Sequence, residues 1–250
     1  MCEVWLTCYW MFSIIIENVS NDEGVKAMKH FGCTVMAGKY GLELSRDKYA
    51  IISNKNSLPK FDSMKDAYAD EEGTTYTDEW CKEYQQLILQ NYDLNMRFFA
   101  SLNHDEFQSE LEAFLKKNKT FVEVSDLTEY SGVSGYYVMV LDKYCQVYIG
   151  TTDDIKRRIQ HHWSKSKSFD RLLFPMYAVD KSVLSIDSFR ALDTTRIFVC
   201  ATKKTYVSED KYINDFSPQY VCNRLGGGMF SGGLLGFLEA GSTIKSKKLD

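Results

Sequence analysis

The 250-residue chain is defined first by what it lacks. Its seven cysteines (Cys2, Cys8, Cys33, Cys81, Cys145, Cys200 and Cys222) are odd in number, scattered and never spaced C-x-x-C. That argues against a disulfide framework or a zinc cluster, and for free, buried or semi-buried thiols in a reducing compartment such as a bacterial cytoplasm. No transmembrane helix is visible, since no apolar run reaches the roughly 20 residues needed to span a bilayer. The most apolar stretch, MCEVWLTCYWMFSIII at the front, contains Glu3 and has no basic leader region of the kind that opens a secretory signal. It reads as a strand or buried segment, with a natural start further along, at Met36, as the second reading. No zinc-finger or helix-turn-helix signature is present to name a nucleic-acid target.

What is present is ordinary in bulk and uneven in distribution. An apolar content of 44% with 26% charged residues suits a soluble globular protein, and the length allows one large domain or two ordinary ones. The net charge of −4 conceals a split: residues 1–134 hold 13 basic and 22 acidic residues, residues 135–250 hold 17 and 12. A protein with a polyanionic partner concentrates positive charge where it binds, which puts such a surface in the second half.

Helical periodicity runs over Thr77–Leu102, with Thr77 as N-cap and Trp80, Tyr84, Leu87, Ile88 and Leu94 recurring at helical spacing. A second helix covers Asp105–Lys117, with Asn103 and Glu106 in capping-box spacing and a stripe of Phe107, Leu111, Phe114 and Leu115. Both stripes belong in a core. Residues 67–75 read as a solvated loop. From Ser131 the pattern turns to strands: YYVMVLDKYCQVYIG is two β-rich runs around a polar break at Asp142–Lys143, a hairpin profile. With an even loop of two or four residues, Tyr137 and Tyr148 share one face. Tyr136, Val138, Val147 and Ile149 then point the other way into a core. Gly150 closes the second strand, where a Cβ obstructs close approach.

A helix follows in TDDIKRRIQHHW, with Thr152 as its cap. Arg158 and His162, four residues apart, lie on one helix face, while Ile155 and Ile159 form a neighbouring stripe that can bury against the sheet. A guanidinium suits phosphate oxygens that gain charge, and His161 is the adjacent alternative to His162. Lys156 and Arg157 either contact nucleic-acid backbone or solvate the surface. In residues 163–195, Lys165, Lys167, Arg171 and Arg190 belong to a basic, polyanion-facing surface, or the segment is an insertion with Phe169, Leu172, Leu173 and Phe174 in the core. RIFVCA (196–201) is a third strand, Ser208 caps a helix EDKYINDF that ends before Pro218, and seven glycines in 226–241 mark a flexible tail. The reading is α+β: an acidic, largely helical region 1–130, a β-β-α-β-α unit 131–225 with a three-stranded antiparallel sheet flanked by helices, and the tail 226–250.

GYY (135–137), YIG (148–150), Arg158, His162 and Glu209 stand in an order that resembles the GIY-YIG nuclease superfamily. The match covers about 90 residues, with Tyr136 in place of the usual Ile of the first triplet. The resemblance implies a DNA endonuclease in which Tyr137 helps activate water, as a phenolate beside a cationic group. Arg158 stabilises the phosphate, His162 and Tyr148 orient groups or relay protons, and Glu209 holds Mg²⁺ or Mn²⁺. Glu209 owes its role to register alone, four residues before Ile213 and nine before Pro218. Gly135, Gly150 and Asn223 support the site, and Lys156, Arg157, Lys165 and Lys167 are the DNA-contacting candidates. Two other classes stay open: a nuclease-like binding module without catalysis, and a regulatory or partner-binding protein whose purpose lies in residues 1–130.

Overall fold

A computed structural model describes residues 27–51, 77–165, 172–173 and 179–223. The front segment 1–16, the loop 67–75, the tail 226–250, and Lys167, Phe169, Arg171 and Phe174 lie outside the described residues. The described chain is mixed α+β. It begins with a hairpin of β1 (Ala27–His30) and β2 (Cys33–Met36), followed by the single turn α1 (Arg46–Tyr49). Two long helices, α2 (Asp78–Ser101) and α3 (His104–Lys117), precede a four-stranded antiparallel sheet. That sheet comprises β3 (Val122–Glu123), β4 (Gly135–Leu141), β5 (Gln146–Thr152) and β6 (Arg196–Ala201) in the order β3-β6-β4-β5. Helix α4 (Ile155–Ser164) joins β5 towards β6, and α5 (Glu209–Asn214) follows β6.

The three expected strands are present, and the two-residue β3 adds a fourth on β6. Four residues, 142–145, close the β4–β5 hairpin, so Tyr137 pairs with Gly150 and Met139 with Tyr148. The tyrosines therefore share a face at a diagonal offset of two. That face is not open. Tyr137, Met139, Leu141, Ile197 and Val199 pack into a cluster with Ile155, Ile159 and Trp163 of α4, residues of α2 and the β1–β2 hairpin. The opposite face, with Tyr136, Val138, Val140, Val147, Ile149 and Phe198, packs on Phe107, Leu111 and Phe114 of α3 and on Ile213. Every residue of β4 is buried. A sheet covered on both sides reads as a continuous apolar run, which is what YYVMVL is.

This packing crosses the expected boundary at residue 130. Helix α3 covers one face of the sheet, α2 and the first hairpin contribute to the other, and β3 is hydrogen-bonded into it. Local predictions fare unevenly. Thr77 and Asn103 cap α2 and α3 through side-chain oxygens as expected. Helix α4 is capped by Asp154, which accepts from Arg157 N–H, and not by Thr152, which instead accepts from the Asp154 N–H at 3.1 Å. On α2 the buried stripe includes Asn91 and Asn95, whose amides donate to the Ser182 carbonyl, while Leu87 is exposed. Among the described residues, Cys33, Cys81, Cys145, Cys200 and Cys222 are buried and in no disulfide, and no helix is long and apolar enough to cross a membrane.

Candidate active site

Tyr137 and Tyr148 meet where β4 and β5 lie under α4, with ring centroids 6.1 Å apart. Gly150 makes the arrangement sterically possible. A Cβ built there would fall on the Tyr137 phenol, so the ring lies across its own cross-strand partner. The glycine does not end β5, which continues to Thr152. Gly135 has a different cause: a Cβ there would strike the Cys200 carbonyl of the neighbouring strand β6.

Ile155 and Ile159 are fully buried, and this rotates the adjacent face of α4 towards the tyrosines. His162 is buried, with Nε2 2.9 Å from the Tyr137 hydroxyl and Nδ1 2.7 Å from Asp187 Oδ1. Burial lowers the His162 pKa below the ordinary 6.5 against the opposing Asp187 contact, so the imidazole is neutral near pH 7. His161, the sequence alternative, is exposed and lines a concavity with Arg158. Arg158 lies within electrostatic reach of both phenols, of Asp187 and of Glu209.

Burial pushes Tyr137 well above the ordinary 10, the proximity of Tyr148 adds to this, and Arg158 only partly offsets it. The phenolate suggested by the resemblance is thereby corrected: desolvation of a fully buried ring outweighs the nearby cation. Tyr148 is also raised by burial and then by Glu209, but it keeps a partly open edge.

Glu209 opens α5 and is 9% exposed. Burial, and then Asp210, raise its carboxyl to about 7, with Arg158 pulling the other way. Among the described residues it makes no hydrogen bond or ion pair. A desolvated carboxylate without a donor is chemically suited to a hard divalent cation, which takes oxygen ligands and keeps several waters. Among the described residues no group of three or more His, Cys, Asp or Glu forms a metal cluster.

Two supporting residues escape the motif reading. Tyr136, the departure from the usual triplet, is buried on the α3 side, yet its hydroxyl accepts from Val207 N–H (3.1 Å) and Ser208 N–H (3.0 Å) and donates to the Lys204 carbonyl (2.9 Å). It thereby holds the loop that delivers Glu209, while Ser208 makes no side-chain cap. Tyr136→Phe leaves two N–H groups short of an acceptor. It should cost about 1–2 kcal/mol in urea unfolding and weaken any Glu209-dependent cation response. Asp187, the second, sits in a single 3-10 turn, Ile186–Ser188, too short to carry a periodic signal.

Asn223 accepts from Ile149 N–H (3.0 Å) and donates to the Ile149 carbonyl (2.7 Å), extending the sheet edge beside Tyr148. Of the expected DNA-contacting residues, Arg157 is exposed and lines an open concavity of about 710 Å³ with Thr151, Arg158, His161 and Tyr206. Lys165 instead pairs with Asp187 at 3.3 Å, and Lys156 lies within reach of Asp126 and Cys33. Arg190 is buried, donating to the Lys165 and Asp187 carbonyls, and so is not part of an exposed basic surface. No family model, curated protein or solved structure matches this chain.

Proposed function

We propose that the chain is a divalent-metal-dependent endonuclease that hydrolyses DNA phosphodiester bonds in the cytoplasm. One observation carries this reading. Two phenols, a guanidinium, a neutral imidazole and a buried carboxylate without a partner among the described residues, spread over 73 positions from Tyr137 to Glu209, lie within electrostatic or hydrogen-bonding reach of one another. Neutral imidazole and buried phenol supply a proton acceptor, while Arg158 supplies charge for a phosphate that becomes more negative in the transition state. Glu209 is the residue that would hold Mg²⁺ or Mn²⁺. Such a cation polarises a phosphate oxygen and neutralises the leaving oxygen when bound. Tyr148, with its open edge, orients the phosphate or its water. Buried cysteines outside any disulfide among the described residues fit a reducing compartment.

The test is incubation of purified full-length protein with plasmid, branched and single-stranded DNA, with Mg²⁺ or Mn²⁺ and with chelator. Cleavage that requires the cation is the expected result. Retained binding without cleavage under every condition would favour the non-catalytic module. Arg157→Ala should leave the cleavage chemistry intact and reduce the salt dependence of DNA binding by about one phosphate contact. An unchanged slope of log affinity against log salt would remove Arg157 from the DNA-facing surface.

A further inference from the structure

Asp187 lies outside the motif and yet completes a chain of hydrogen-bonded groups: Tyr137 hydroxyl to His162 Nε2 at 2.9 Å, and His162 Nδ1 to Asp187 Oδ1 at 2.7 Å. Its position is fixed from two sides. Arg190 Nη2 donates to the Asp187 backbone carbonyl at 3.3 Å, and Lys165 Nζ pairs with Oδ2 at 3.3 Å. We infer that Asp187 is a positioning residue that fixes the His162 tautomer, so that His162 accepts the Tyr137 proton when water attacks the phosphate.

An ionised carboxylate can only accept, so Nδ1 carries the ring hydrogen. A neutral ring then has its lone pair at Nε2, and the phenol must be the donor in the 2.9 Å contact. This resolves a difficulty raised by burial. Tyr137 cannot exist as a free phenolate in its surroundings, but it can give up its own proton as it receives another. The water proton passes to the Tyr137 oxygen, and the phenolic proton passes to His162 Nε2. The water oxygen bonds to phosphorus as the bond to the leaving oxygen breaks, and the leaving oxygen takes a proton from solvent. The imidazolium so formed faces the Asp187 carboxylate and later returns its proton to solvent. The proton-transfer part rests on the proposed hydrolysis; the tautomer does not.

Asp187→Asn separates the two. Lys165 keeps the amide oxygen on its own side, so the NH₂ group faces Nδ1 and donates to it. The ring is then driven to carry its hydrogen on Nε2, where it cannot accept from the phenol. Nitrogen-15 NMR of His162 in the full-length protein at neutral pH should show a protonated Nδ1 in the wild type and a protonated Nε2 in the variant. DNA cleavage should fall at least about a hundredfold in kcat with KM nearly unchanged. A wild-type ring protonated at Nε2 overturns the inference. So does a variant whose ring keeps its hydrogen on Nδ1, because Asp187 would then not set the tautomer; a variant whose tautomer switches while kcat stays the same overturns the proton transfer to His162. A wild type that cuts no DNA defeats the hydrolytic reading, whereas the wild-type tautomer still decides whether Asp187 sets the ring.

Discussion

Replacing Glu209 with glutamine is expected to abolish nearly all cation-dependent cleavage, by at least about a hundredfold, and at the same time to make the protein more stable at pH 8. Both effects come from one buried carboxyl. Its pKa in the folded chain is about 7 against an ordinary 4.5, so the native state holds the proton more tightly than the unfolded chain does. The cost of burying the charge is absent below pH 4.5, grows as pH rises towards 7 and is constant above it. A tenfold difference in proton affinity is about 1.4 kcal/mol. Allowing for residual solvent contact, the gain in Glu209→Gln should be about 1–3 kcal/mol at pH 8 and close to nothing at pH 4. Thermal unfolding of both proteins across this range is the measurement. Mg²⁺ should raise the melting temperature of the wild type at pH 8 and leave the variant unmoved. A stability difference that does not vary with pH would show that the carboxyl is not desolvated. Full cleavage by the variant would remove Glu209 from the reaction.

The second large effect is steric. Gly150→Ala places a methyl group where the Tyr137 phenol lies. The ring cannot swing aside easily, because it is fully buried and its hydroxyl is held by His162. Overpacking of this kind costs about 3 kcal/mol, and it should also break the Tyr137–His162 contact, so cleavage and stability fall together. Urea unfolding should show a lower midpoint with an unchanged slope. A midpoint equal to that of the wild type would mean that the ring has room to retreat, and the account of this glycine would fail.

Much of the scaffold was legible along the chain because it is local. Helices α2 and α3 announce themselves by apolar spacing and by Thr77 and Asn103. Strand β6 has the bounds of its β-branched and aromatic run. The hairpin register, and with it the shared face of Tyr137 and Tyr148, follows from an even loop and the two-residue period of a strand. The i, i+4 spacing of Arg158 and His162 is likewise fixed by helix geometry. These features depend on neighbours within a few positions, and sequence carries that information directly.

What depends on distant neighbours had to wait for the folded chain. Burial on both sides of β4 is decided by α3 and α2, helices that the sequence assigns to a separate region. The protonation of Tyr137 follows from that burial, and it reverses the expectation drawn from the nearby arginine alone. Asp187 reaches His162 across 25 positions and Asn91 reaches Ser182 across 91, pairings that no periodicity encodes. The sequence by itself determined which residue types stand at which local spacing. Only the tertiary structure decided which of them lose their water and whose charge they then face, because desolvation is set by everything that packs around a group.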